Sequence, residues 1–411
     1  MHASALDGAA ARVQRAVTSP FWLPGWVALG LLVRIALVLN QRGNFGFADE
    51  RDYDSIATSL LAGDGFSLRG EPSAFRPPGQ IIFLAGIYAL AGHRPLVAEL
   101  VQAVLLALVP FAVYALGRRA TSQPFVPEIA AALAAMHPGL AYASATVYPV
   151  SLTAAALAGG TWLAADVAWR GIGRAALAGL ALGVAGAATP YFVPLPVLIA
   201  FVIHRRTGAL AAVVLALSGL LPAAAWMTRN ALVLGAPTLG TNGGYNLALG
   251  ANDRATFRSG NWIEPDPIDQ AAAGSELARD AEWARAARRW IIAHPVRWLE
   301  LAVGRALAVL DSVGKPRTAG LHDNPWAKLV GWAMLPWIVF GLAGLWIDRR
   351  VPEARIVALA FLLVLASASA TIVKPRFRFP VDPLLAIFAA DFISRVHGAI
   401  RARWPRALVR A

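Results

Sequence analysis

Apolar stretches of about 14 to 22 residues follow one another along this 411-residue chain, separated by short basic loops. That succession decides the fold class before any motif is read. Each stretch approaches the ~20 residues that an α-helix needs to cross a hydrocarbon core of about 30 Å. Strand-like alternation is absent, so the spanning elements are expected to be helices and not barrel strands. The composition agrees: 57% of residues are hydrophobic and 15% charged, with a mean hydropathy of +0.55, outside the range of soluble globular domains. The expectation is an all-α polytopic membrane protein.

A net charge of +13 would suggest nucleic acid in a soluble protein. Here most arginines stand just outside apolar stretches, where they set orientation, and no nucleic-acid partner is expected. The lack of cysteine removes disulfides, thiolate metal ligands and a cysteine nucleophile. Arg12 and Arg15 precede an apolar run from Phe21 to Leu39 that is long for a signal sequence and has no small-x-small cleavage site, so it reads as an uncleaved anchor. Richness in Ala, Arg and Gly hints at a GC-rich bacterial genome, and so at the inner (plasma) membrane.

The positive-inside rule puts the N-terminus in the cytoplasm and the following loop outside. The run Ile81–Ala91 is short for a span and suits an interfacial or re-entrant helix. Parity supports that reading. Only then do Arg118 with Arg119, Arg170 with Arg174, Arg205 with Arg206, and Arg349 with Arg350 all fall inside. Further spans are expected near 95–117, 125–143, 150–169, 174–189, 190–204, 208–227, 327–347, 354–373 and 380–397, about ten in all with both ends inside. Pro190, Pro194 and Pro196 interrupt the 174–204 pair, which reads as two short helices or one broken span. A single weakly amphipathic helical region is expected over Asp280–Leu310, on the membrane, with Trp283, Trp290 and Trp298 as interface anchors. The organisation is therefore a cytoplasmic N-terminus (1–20), a transmembrane module (21–227) that includes an extracytoplasmic loop (41–94), an extracytoplasmic or interfacial region (228–326), C-terminal spans (327–397) and a basic cytoplasmic tail (398–411) carrying Arg401, Arg403, Arg406 and Arg410. No internal repeat is evident; an inverted one would have favoured a transporter.

Against this background residues 48–80 stand out, with six carboxylates and three arginines in one strip. Each would cost about 2.5 to 3.5 kcal/mol at the centre of a spanning helix, so the strip must face water or a wet cavity. Tyr53, Ile56, Ala57, Leu60 and Leu61 follow helical spacing, with Asp49 expected as N-cap, Gly63 as the left-handed C-cap and the intervening acids as a solvated face. A turn at Gly63-Asp64-Gly65 and extended backbone before Pro77-Pro78 fold the strip back over the bundle mouth, where Arg76 can meet the Asp49 end.

The order of these elements resembles the membrane glycosyltransferases of the GT-C superfamily, in particular the branch holding protein O-mannosyltransferases and aminoarabinose transferases (glycosyltransferase family 39 type). Members carry an acidic pair after the first span, an aromatic residue, a Gly-Asp segment and a basic residue before two prolines. Here these read Asp49-Glu50, Tyr53, Gly63-Asp64-Gly65 and Arg76-Pro77-Pro78. His137-Pro138, Trp226–Asn230, Asn242–Asn246 and Arg376–Pro380 fit later segments. The likeness covers most of the chain, strongly over the first 120 residues and loosely after 250. It implies a GT-C-like bundle and inverting transfer of a sugar from a polyprenyl-phosphate donor to an unspecified acceptor on the extracytoplasmic side, among membrane lipids.

On that resemblance Asp49 is the general base, and Glu50 orients it, pairs with a cation or helps to hold a metal. Arg76, Arg376, Arg378 and Arg229 are candidates for the donor phosphate, whose developing charge needs fixed cations. Tyr53, Asn242, Tyr245 and Asn246 are candidates for sugar or acceptor, although Asn242–Asn246 also reads as a simple turn. His137 reads as a residue satisfying local backbone. No cofactor is expected. A divalent cation is conceivable at the acids 49, 50, 52 and 54 but is not favoured, because consecutive acids on a helix point apart. Two departures bear on donor and acceptor identity: Phe75 stands where the aminoarabinose transferases carry Glu, and Tyr148-Pro149-Val150-Ser151 where many relatives carry Glu. The competing classes are a lipid or small-molecule transporter or flippase, which would need ionisable groups along a mid-membrane path, and an inactive protein of the same shape serving as a partner.

Overall fold

The computed structural model of the protein describes residues 19–257, 274–310 and 325–403. The terminal arginines Arg12, Arg15, Arg406 and Arg410 lie outside these residues. Almost everything described is helical. After α1 (Trp22–Gln41) come α2 (Ala48–Ala62), a hairpin of β1 (Ser67–Leu68) and β2 (Glu71–Pro72), and α3 (Pro78–Ala91). Next are α4 (Pro95–Ala107), α5 (Val109–Ala120), α6 (Val126–Ala135), α7 (Pro138–Ser144), α8 (Val150–Ala165), α9 (Val167–Ala188), α10 (Leu195–Thr207) and α11 (Ala209–Leu234). The remainder is α12 (Gly243–Gly250), α13 (Glu276–Ala293), α14 (Pro295–Ala308), α15 (Pro325–Ile347), α16 (Pro352–Ala370) and α17 (Asp382–Arg403).

Among the described residues six helices are long and apolar enough to cross a membrane: α1, the joined α4–α5, residues 171–188 of α9, α11, α16 and the apolar part of α17. This is a multi-pass membrane fold. All ten expected segments are helical, but several are short or broken. Pro138 splits the 125–143 segment between α6 and α7, since proline lacks the N–H that would continue the helix. The 174–204 stretch forms two helices around a 3₁₀ turn at Pro190–Phe192. Two boundaries differ from the expectation. Helix α11 runs on to Leu234, past Arg229, and Pro295 breaks the 280–310 region into α13 and α14.

Helix α3, with 14 residues, is about 21 Å long, too short to cross about 30 Å of hydrocarbon. It buries Gln80, Ile81, Leu84, Ala85 and Tyr88 against the bundle and leaves Ile82 and Leu90 exposed. Its start is set by Pro77, extended at the N-cap, and Pro78 in the first turn, positions where a missing N–H costs nothing. The hairpin was not visible in the sequence, because its strands are two residues each. Arg69 and Gly70 both have positive φ (+57° and +83°), the geometry of a two-residue type I′ turn.

Helices α9 and α11 approach each other closely. A Cβ on Gly179 would stand 2.0 Å from Ser218 Oγ, and one on Gly183 2.5 Å from the Gly219 carbonyl oxygen. Gly179 and Gly183 are four apart, the small-xxx-small spacing that lets spanning helices touch backbone to backbone.

Candidate active site

The first turn of α2 begins differently from the expectation. Phe47, not Asp49, is the N-cap, and Asp49 is already inside the helix. Glu50 is what closes the helix start. Its Oε1 accepts from the Gly46 and Phe47 backbone N–H groups, both at 3.1 Å, and its Oε2 from Val147 N at 3.0 Å. The side chain is buried, and burial raises its pKa against the pull of those three amides. Glu50 therefore ties α2 to the α7–α8 connection. It does not reach toward Asp49's cations.

With Glu50 holding the turn, Asp49 faces a cluster assembled from three distant segments. Arg76 Nη2 donates to Asp49 Oδ1 at 2.7 Å, and Arg376 Nη2 to Asp49 Oδ2 at 3.2 Å. The Tyr148 hydroxyl donates to Oδ2 at 3.2 Å. Arg76 also holds Asp52, one helical turn on, through Nε at 3.1 Å and Nη2 at 2.6 Å. Asp52 is thus not part of a solvated face. Neither is Asp54, which accepts from the Tyr88 hydroxyl at 2.7 Å and lies 2.8 Å from His93 Nε2. Rings back the guanidinium groups: Arg376 lies 3.9 Å over Tyr148, and Arg76 5.6 Å over Tyr53 and 5.0 Å over Phe75.

The cluster retains access to solvent, with Asp49 14% and Arg376 25% exposed. Burial alone would raise the Asp49 pKa, but Arg76, Arg376 and Lys374 outweigh it and hold the carboxyl below the ordinary value of 3.8. Lys374 is pushed down to about 8, first by burial and then by the charge of Arg376. Three cations therefore surround two carboxylates at the mouth of the bundle. Among the described residues no group of three or more His, Asp or Glu side chains is placed to hold a metal ion; Asp49 and Asp52 are instead joined through one arginine.

The other candidates divide. Tyr53 is buried beside Arg76. Tyr245 is near the cluster through Phe75, its ring 6.3 Å away. Asn242 is the N-cap residue of α12, its carbonyl accepting from Asn246 N at 3.0 Å, and both side chains are half-buried beside Tyr245.

Arg229, expected as a phosphate ligand, straps the hairpin to α11. Its Nη1 donates to the Ser73 carbonyl and its Nη2 to that of Phe66, both at 2.9 Å, and it stacks on Phe66 and Trp226. Arg378 departs further from the expectation. It is fully buried, with Nε donating to Asp382 Oδ1 at 2.7 Å and Nη1 to the Val309 carbonyl. His137 belongs to that second network: its Nδ1 caps α7 by accepting from Leu140 N at 3.1 Å, and its Nε2 lies 3.3 Å from Asp382. That pattern puts the ring proton on Nε2.

Sequence reasoning did not single out Asp52, Tyr148 or Lys374 as site residues. Lys374 had a signal, since it stands two residues before Arg376. Tyr148 had one only in its place, where many relatives carry Glu. A cavity of about 290 Å³, lined by Arg118, Gln123 and Glu128 among others, lies at the far end of α5 and contains none of the site residues.

No protein-family model and no curated protein matches the chain. Among solved structures, ArnT from Cupriavidus metallidurans bound to undecaprenyl phosphate is similar at 16% identity and a TM-score of 0.45, over 92% of this chain and 79% of that one. The archaeal oligosaccharyltransferase AglB from Archaeoglobus fulgidus, in complex with an inhibitory peptide and a dolichol-phosphate, is similar at 14% identity and a TM-score of 0.48. The match to AglB covers 95% of this chain but only about half, 52%, of the oligosaccharyltransferase. At this level of likeness no activity passes from either protein to this chain.

Proposed function

We propose that the protein is a GT-C type glycosyltransferase of the bacterial inner membrane. It transfers a sugar, with inversion, from a polyprenyl-phosphate donor to an acceptor hydroxyl on the extracytoplasmic side. The observation that carries this reading is a single one: Asp49 bracketed by Arg76 and by Arg376, the latter 327 positions further along the chain. A carboxylate and two guanidinium groups at the end of a bundle are what a phosphate leaving group and a hydroxyl nucleophile require.

In the reaction, Asp49 takes the acceptor hydroxyl proton as that oxygen attacks the anomeric carbon. The bond from that carbon to the phosphate oxygen breaks, and its electron pair leaves with the lipid phosphate. Arg76, Arg376 and Lys374 meet the charge that develops there. Glu50, Asp52 and Tyr148 are positioning residues, while Tyr53, Tyr245, Asn242 and Asn246 line the approach for the sugar and acceptor.

A carboxylate held by two arginines is a weak base. The donor resolves this, because its phosphate competes for the same guanidinium groups. As Arg76 and Arg376 turn to the phosphate, burial is left to raise the Asp49 pKa. Asp49 thus becomes basic only when the donor is bound.

The test uses purified protein and an Asp49→Asn variant with labelled undecaprenyl-phosphate sugars and candidate acceptors. The reading expects transfer by the parent and its loss in the variant. Equal turnover by both would remove Asp49 as the base, and lipid flipping without transfer would put the protein among transporters.

A further inference from the structure

Beside the cluster lies a row of three rings, of which the mechanism above uses only Tyr245. Phe75, next to Arg76, meets Tyr245 at 6.3 Å between ring centroids with the planes tilted by 53°, and Tyr245 meets Trp283 edge to face at 4.9 Å and 62°. The three rings come from the loop arm before α3, from α12 and from α13. All are half-buried, so each keeps an accessible part. The row lies outside the main core, with Trp283 packed on the small cluster of Ala248, Ala251 and Ala287, and it joins the charged groups of the site where Arg76 lies over Phe75.

The row is built rigidly. Asp280 Oδ1 accepts from Gly244 N at 2.7 Å and Tyr245 N at 3.2 Å, fixing α12 on α13. A Cβ on Gly244 would stand 1.9 Å from the Asp280 carbonyl oxygen, so only glycine lets the two helices meet there. Glu276, one turn earlier on α13, holds the Phe75 arm: it accepts from Ser73 Oγ at 2.7 Å and Ala74 N at 2.8 Å, and also from the Thr241 hydroxyl. Two carboxylates of one helix thus set the spacing of all three rings.

From this we infer that Phe75, Tyr245 and Trp283 form a stacking platform for an uncharged pyranose or furanose ring. The inference rests on the glycosyl-transfer reading and deepens it by naming the charge class of the sugar. A sugar ring has an apolar C–H face, which packs on the electron-rich face of an aromatic ring and leaves its hydroxyls at the rim. Aromatic faces also attract ammonium groups, but here that place is taken. The Arg76 guanidinium already lies 5.0 Å over Phe75, and Arg376 and Lys374 add positive charge nearby. Of the described carboxylates, Asp49 and Asp52 pair with Arg76 and Glu282 with Arg285, while Glu276 and Asp280 are engaged by the N–H and O–H groups above. An amino sugar therefore meets repulsion from the cations beside Phe75.

The probes are methyl glucoside, methyl mannoside, glucosamine and glucuronate, added to the full chain in lipid nanodiscs and followed by saturation-transfer NMR. Saturation is expected on the C–H face of the two neutral glycosides, and about tenfold weaker binding after Phe75→Ala or Trp283→Ala, the loss of one stacking contact. Phe75→Tyr keeps the ring and is expected to keep binding, which separates stacking from damage to the fold. Parent protein that binds neutral sugar but transfers none to any acceptor sinks the enzyme reading and leaves the platform standing. Preference for glucosamine or glucuronate, or unchanged binding after Phe75→Ala, overturns the platform. With turnover in hand, a raised KM for the donor places the donor sugar on the rings, and a raised KM for the acceptor places an acceptor sugar there.

Discussion

Arg376 and Arg378 are two residues apart at the mouth of the bundle, and the sequence offers no reason to treat them differently. The fold does. Arg376 keeps a quarter of its surface exposed and touches a carboxylate that is itself accessible. Arg378 has no exposed surface and is bound to a buried carboxylate, a backbone carbonyl and, through Asp382, a histidine. The turn at Pro375–Phe377, anchored where the Tyr191 hydroxyl donates to the Phe377 carbonyl at 2.9 Å, sends one guanidinium to the site and the other into the core. A cation is available for chemistry only when its partner can be exchanged for substrate, and the surroundings decide that.

Substitutions should separate the two networks. The largest effect is expected at Asp49→Asn, with kcat lower by about 10²–10⁴-fold, the usual contribution of a general base, and a melting temperature close to that of the parent; labelled-donor turnover and thermal unfolding measure the two. Arg378→Ala should do the reverse. Leaving Asp382 buried without its arginine costs about 3–5 kcal/mol, seen as a fall in unfolding temperature, while Arg378→Met with Asp382→Leu should recover much of it. If Arg378→Ala is stable but inactive, the contrast between the two arginines collapses.

Smaller effects sharpen the picture on the accessible side. Arg376→Ala removes one charged hydrogen bond and is expected to lower kcat/KM by about ten- to hundredfold, mostly through the donor. The pH profiles carry the finest distinction. Asp49 stays ionised to below the ordinary carboxylate value, so on the proposed mechanism, in which bound donor raises the Asp49 pKa, kcat/KM should hold its level at acid pH further than kcat does. At the alkaline end Lys374 loses its charge as pH rises through about 8, which weakens phosphate binding. The donor KM should rise there in the parent and stay level in Lys374→Met.

Much of the architecture was legible because hydrophobic length and basic loops are properties of single segments. The short helix α3 and the break between α9 and α10 could be read from length and proline alone. The meeting of Arg76 with Asp49 followed from the turn at 63–65 and the Pro77-Pro78 arm. What could not be read was which polar groups would be used up by the scaffold. Glu50 looks like half of an acidic pair, yet its two oxygens serve three backbone amides. Arg229 looks like an outer-leaflet cation, yet two hairpin carbonyls take it. Tyr148 is marked in the sequence only as standing where many relatives carry Glu, and only tertiary packing brings its hydroxyl to Asp49. Such assignments depend on tertiary neighbours, which a residue pattern does not contain.

The glycine contact between α9 and α11 bears on how the protein can move. Helices that meet at Gly179 and Gly183 have only the short Ser218 and the rigid ring of Pro222 between them, so sliding or spreading would break many contacts at once. That pair acts as a keel. Any opening that admits a lipid-linked substrate must then come from the parts hung above it: the arm from the hairpin to Pro78, α12 and the turn bearing Arg376. These are tied down by a few charged hydrogen bonds, which a phosphate or a sugar can replace one at a time.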